Sequence, residues 1–146
     1  NANSIAKELG IKVTSQYHTK KTNYSNLITV KVNINNKNYR FDGSLFDNNE
    51  FRIVNVLGWK IEILPKGVML IIDNNDVPGV IGDVGTYIGN LNINIAAYIL
   101  SRRKGDLNAL AVIRLDGYLL DDQLDEIKNI KNINSVNQID TNYSLN

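Results

Sequence analysis

From Val68 onward the apolar positions change their period repeatedly, and each change predicts an element. Val68 to Asp73 is almost wholly apolar, the pattern of a strand covered on both faces. Over Pro78 to Leu91 the spacing becomes helical: Val80, Ile81, Val84, Tyr87, Ile88 and Leu91 share one face, Gly82, Gly85 and Gly89 lie beside it, and Asp83, Thr86 and Asn90 lie opposite. Each glycine inside a helix costs roughly 1 kcal/mol against alanine, so close approach of a neighbouring backbone is the expected compensation. Ile93, Ile95, Ala97 and Ile99 then alternate with Asn94, Ala96, Tyr98 and Leu100 as a second strand, Ser101 to Asp106 reads as a polar turn, and Leu107 to Leu115 as a third strand. A second helix carries Leu120, Leu124, Ile127 and Ile130 on one stripe, with Asp121, Asp122, Asp125 and Glu126 early and Lys128 and Lys131 late, the order its dipole favours. Ile133 to Asp140 completes a βαββαβ series, which predicts a two-layer sandwich of the ferredoxin-like type. One sheet face is then bare, and pairing of edges or faces between copies is the expected cover.

The first half has a different rhythm. Ile5, Ala6 and Leu9 share a short helical face that Gly10 ends, and Ile11 to Val13, Leu27 to Ile34, Tyr39 to Phe46, Phe51 to Leu57 and Trp59 to Leu64 read as extended runs. Asn35-Asn36-Lys37 and Gly58 supply turns between neighbours, so this half is one helix with a mainly antiparallel sheet. Pro65-Lys66-Gly67 is the clearest break, and it divides the chain into units of residues 1–66 and 67–146 in an α+β protein.

Charge divides at the same place: residues 1–66 carry ten Lys and Arg against five acids, and residues 67–146 carry six against ten. The basic half can attract anions, or the two halves can simply steer each other. Arg52, Lys60 and Lys66 flank the last two strands of that half as a candidate anion site, while Lys20, Lys21, Lys37 and Arg40 lie nearer turns; scattered solvated lysines are the plain alternative. With no cysteine and one histidine, His18, cysteine-based zinc sites, thiol nucleophiles and two-histidine metal pairs are excluded, and no metal site is expected. The serines have no credible base, so a catalytic triad is unsupported and no catalytic residue is assigned. No apolar run reaches membrane-spanning length and the sheet face lacks aromatics with basic neighbours, so neither membrane nor nucleic acid is an expected partner; an ordinary cytoplasmic chain is.

The richest corner is Asn74-Asn75-Asp76-Val77-Pro78-Gly79, where the first strand of the second unit meets its first helix. Pro78 suits a first helical turn, Asp76 is placed to cap the free amides, and a helix start attracts an anion. A zwitterion fits that set, with its carboxylate on amides near Gly79 and Val80, its ammonium near Asp76, and a polar side chain on Asn74 or Asn94. Asn94 begins the strand after that helix, which places it to approach the same corner or the interface with a second copy. The alternative is a capped helix with asparagines at turns, since 23 of the residues are Asn. The glycine spacing at 79, 82 and 85 is not the dinucleotide fingerprint.

Asn74-Asn75-Asp76-Val77-Pro78-Gly79-Val80-Ile81-Gly82-Asp83-Val84-Gly85-Thr86, followed by Asn92-Ile93-Asn94-Ile95-Ala96, resembles an ACT domain, specifically that of the D-3-phosphoglycerate dehydrogenase family. Asn1-Ala2 through Ile5-Ala6-Lys7-Glu8, Gly10-Ile11, Asn26 to Val30, Gly43-Ser44-Leu45-Phe46, Arg52-Ile53-Val54 and Gly58 resemble that family's intervening domain. The resemblance implies a regulatory tail to an NAD-dependent dehydrogenase of serine biosynthesis, binding L-serine between paired ACT domains for feedback inhibition. It implies that Asn74, Asp76 and Asn94 contact serine, that Pro78 and Gly79 shape the loop beside the Val80 amide, and that NAD and the catalytic domains lie outside this chain. The resemblance also sets Arg52 and Lys60 where some relatives carry basic residues for a phosphate-bearing substrate or effector, while Trp59 and Leu64 replace basic residues found there. A ligand-free oligomerisation module, or an amino-acid sensor of another enzyme such as a serine deaminase, stands as the alternative.

Overall fold

The computed structural model describes residues 1–19, 23–47 and 49–141, and it is an α+β protein of two four-stranded antiparallel sheets with three helices. Lys20 and Lys21 lie outside the described residues. The first sheet contains β1 (Ile28–Ile34), β2 (Lys37–Leu45), β3 (Phe51–Val56) and β4 (Trp59–Ile63), each paired with the next in chain order. Its outer hairpins close through two-residue turns, Asn35-Asn36 and Leu57-Gly58, with all four residues at positive φ, the geometry that matches the strand twist. Helix α1 (Ala2–Glu8) ends as expected: the amide of Gly10 donates to Lys7 O and that of Ile11 to Ala6 O, satisfying two orphan carbonyls. Ile11 to Val13 is not a strand; it is exposed and has no ladder partner among the described residues, so its β-branched composition finds no sheet to join.

The second sheet contains β5 (Val68–Asn75), β6 (Ile95–Arg102), β7 (Asn108–Leu115) and β8 (Ile133–Asp140) in the order β6-β7-β5-β8, with α2 (Val80–Asn90) and α3 (Asp121–Asn129) between them, the ferredoxin-like arrangement. Val68, Leu70 and Ile72 of β5 and Ala111, Ile113 and Leu115 of β7 pack beneath Val84, Ile88 and Ile127 of the helices. The alternate residues of the same strands, Met69, Leu110 and Val112, pack on Val56, Trp59, Ile61 and Ile63 of the first sheet. The bare face is therefore covered within the chain, and the central strands are buried on both sides, which is why they read as continuous apolar runs.

Three local expectations are corrected. Ser101 and Arg102 belong to β6, so the turn is shorter than the polar composition suggested. Helix α2 begins at Val80 rather than Pro78, with Gly79 as its N-cap at φ 101°, a conformation that glycine alone adopts without strain. No neighbour approaches the helix glycines: a Cβ on Gly82, Gly85 or Gly89 would meet open space.

Candidate functional site

The corner forms because β5 ends in polar residues and the chain must leave the sheet before α2. Asn75 donates its amide to Asn132 O at 2.8 Å and Asp76 donates to Leu107 O at 2.8 Å, which ties the strand's exit to the start of β8 and to the β6–β7 loop. Asp73 Oδ1 accepts from Asn134 Nδ2 at 2.7 Å and, at 3.5 Å, from Asn108 Nδ2. Asn74 is buried, and its Nδ2 donates to the neighbouring Asn75 carbonyl at 2.8 Å. Val77, Pro78 and Gly79 are exposed, and the Val80 side chain is buried in the core.

Asp76 does not cap α2; no described side chain does, so the first amides of that helix stay available to an acceptor. Its carboxylate instead accepts from Arg102 Nε at 2.6 Å. Arg102 is the functional candidate the sequence reading missed. Its signal was the strand alternation of β6, which, extended two residues past Leu100, sets Arg102 opposite Ala109, itself opposite Asn74.

Asn94 is not at this corner. β6 runs parallel to β5, so its start lies by Leu115 and Val68, at the other end of the sheet from Asn74. There Asn94 Nδ2 donates to Asp116 Oδ2 at 2.8 Å. Asn74, Asp76, Pro78, Gly79 and Val80 are gathered; Asn94 is separated from them within one chain by the length of β6.

The basic residues of the first unit do not converge either. Arg52 Nη2 lies 2.5 Å from Glu50 and its Nη1 2.5 Å from Glu62, and these two carboxylates hold its guanidinium above its ordinary pKa through hydrogen bonds. Lys60 faces Asn55 farther along the ladder, and Lys66 lies beyond β4, so an incoming anion would meet the two glutamates beside Arg52. Arg40 is likewise paired, with Asp42 at 2.8 Å. Among the described residues no cluster of metal-ligating side chains occurs, and no helix is long and apolar enough to cross a membrane.

Fold and corner together define a two-unit α+β protein whose second unit is ferredoxin-like, with an uncapped helix start beside a buried asparagine and a carboxylate–arginine pair. Residues 1–57 match the family described as the D-3-phosphoglycerate dehydrogenase intervening domain. The chain is similar to D-3-phosphoglycerate dehydrogenases of Bacillus subtilis (32% identical over 127 residues, 87% of this chain and 24% of that protein), Methanocaldococcus jannaschii (31% over 128 residues, 88% and 24%) and Archaeoglobus fulgidus (37% over 102 residues, 70% and 19%). The chain is thus similar to part of these dehydrogenases and spans about a fifth to a quarter of their length.

Proposed function

We propose that this chain is a regulatory portion of a cytoplasmic D-3-phosphoglycerate dehydrogenase of L-serine biosynthesis, and that its second unit is an ACT domain which binds L-serine between two paired copies for feedback inhibition. In that reading NAD and the catalytic residues belong to catalytic domains outside this chain. The observation that carries it is the placement of Asn94. β6 is an edge strand of the second sheet, and antiparallel pairing of β6 with β6 of a second copy would set Asn94 of one copy against the Asn74–Asp76 corner of the other. The uncapped amides of α2 suit the amino acid's carboxylate, and Asp76 suits its ammonium. Binding then acts on the dehydrogenase through unequal affinity for two domain arrangements.

Titration calorimetry with L-serine and glycine is the test. Saturable heat that is lost on Asp76→Ala and on Asn94→Ala is the expected result; absence of heat in a folded dimer sinks the reading. A second reading, a ligand-free oligomerisation module, draws on the Asp76–Arg102 pair and on the Asn74 side chain being bonded to the Asn75 carbonyl. Sedimentation equilibrium separates the two: assembly that ignores serine, with no serine bound, favours the module.

A further inference from the structure

Two consecutive arginines at the end of β6 serve different units. Arg102 donates to Asp76 at the proposed ligand corner. Arg103 places its guanidinium carbon 3.8 Å from the ring centroid of Trp59, and its Nη2 would lie 3.0 Å from a Cβ on Gly58, so the β3–β4 turn rests against it. Trp59 is 7% exposed and packs with Met69, Leu110 and Val112, which makes it part of the joint between the sheets.

The two contacts have unequal holding power. The Arg102 side chain is 66% exposed, and an ion pair of that exposure is weak, so an ammonium group arriving at Asp76 displaces it readily. The freed guanidinium is then a partner for the same ligand's carboxylate, and the charges at the corner stay balanced. Arg103 is one peptide unit away and faces the Trp59 ring, a cation–π attraction that depends on the position of its backbone.

We propose that the Arg102–Arg103 dipeptide couples occupancy of the Asp76 corner to the packing of Trp59, so that a zwitterionic amino acid, on the ligand reading above, loosens the hold of the first sheet on the second. This assigns Arg102 a place in the ligand site and Arg103 the task of reporting it to the other unit.

Trp59 is the chain's single tryptophan, so its fluorescence reads the joint directly. Without ligand, Asp76→Asn and Arg102→Gln each remove the pair, and both should red-shift Trp59 emission and raise its quenching by acrylamide. L-serine should produce the same change in the unaltered chain, with the midpoint found by calorimetry. In Arg103→Ala the change should be present from the start and insensitive to serine, while the heat of binding persists. Unchanged emission in both ligand-free variants, with native circular dichroism, overturns the coupling whatever binds. Serine heat with a silent Trp59 also overturns it and leaves the ligand reading standing; responsive ligand-free variants with no serine heat keep the coupling and remove the ligand reading.

Discussion

The two sheets are built from the same number of strands and differ in what covers them. In the second, β5 and β7 lie between helices on one face and the first sheet on the other, and Leu70, Val84, Ile88, Ala111, Ile113 and Ile127 have essentially no exposure. In the first, burial is confined to β3, β4 and the Asp42–Ser44 stretch of β2; on β1 the side chains of Ile28, Val30, Val32 and Ile34 alternate correctly, yet all remain exposed. Equal β-propensity therefore produces unequal stability, because stabilisation comes from area removed from water and not from the strand pattern itself. The second unit can support the first, while the first contributes mainly a lid over Met69, Leu110 and Val112.

Substitutions can break this contrast. Trp59→Ala removes the largest side chain at the joint and should cost about 3–5 kcal/mol, read from urea denaturation; a loss under 1 kcal/mol means the sheets stand independently. Leu70→Ala in the core of the second sheet should cost about 2–5 kcal/mol, whereas Val30→Ala on β1 should cost less than about 1 kcal/mol, since Val30 is already 51% exposed. Similar losses at the two positions would show that the β1 face is covered in solution.

Gly82→Ala sharpens the contrast at the helix surface. The added methyl meets open space and should stabilise an isolated copy by up to about 1 kcal/mol, but weaken association if a second copy packs on that stripe; thermal melts at two protein concentrations distinguish these. The smallest effect concerns pH. Burial raises the Tyr98 phenol above its ordinary 10.0, so its contribution to stability is level below pH 10 and is lost as pH rises through the folded value, where the folded state holds more protons than the unfolded. Tyr98→Phe should flatten the fall in melting temperature above pH 10, and an unaltered slope would place Tyr98 in water.

Most of the fold was legible because period and punctuation act locally. β8 and the β5–α2–β6 series follow from alternation, helical spacing, Pro78 and the glycines, and α3 follows from its apolar stripe and charge order, with Gln123 Oε1 accepting from the Leu120 amide at 2.9 Å. The candidate corner was legible as a stretch of residues, but its partners were not. Asp76 looked like a cap because it precedes a helix, and it became an ion-pair partner because Arg102, 26 residues later, ends β6 at the same end of the sheet, with β7 between the two strands.

Sequence by itself determined most of the strands and helices, the ferredoxin-like order of the second unit and the polar composition of its strand-to-helix corner, since each rests on residues within a few positions of one another. Tertiary structure alone decided that the sheets cover each other, that Asn94 stands at the far end from Asp76, that the charge of Arg52 is matched by Glu50 and Glu62, and that Arg103 meets Trp59. The physical reason is strand direction and register: they fix which distant side chains share an end or a face, and no local pattern along the chain encodes them.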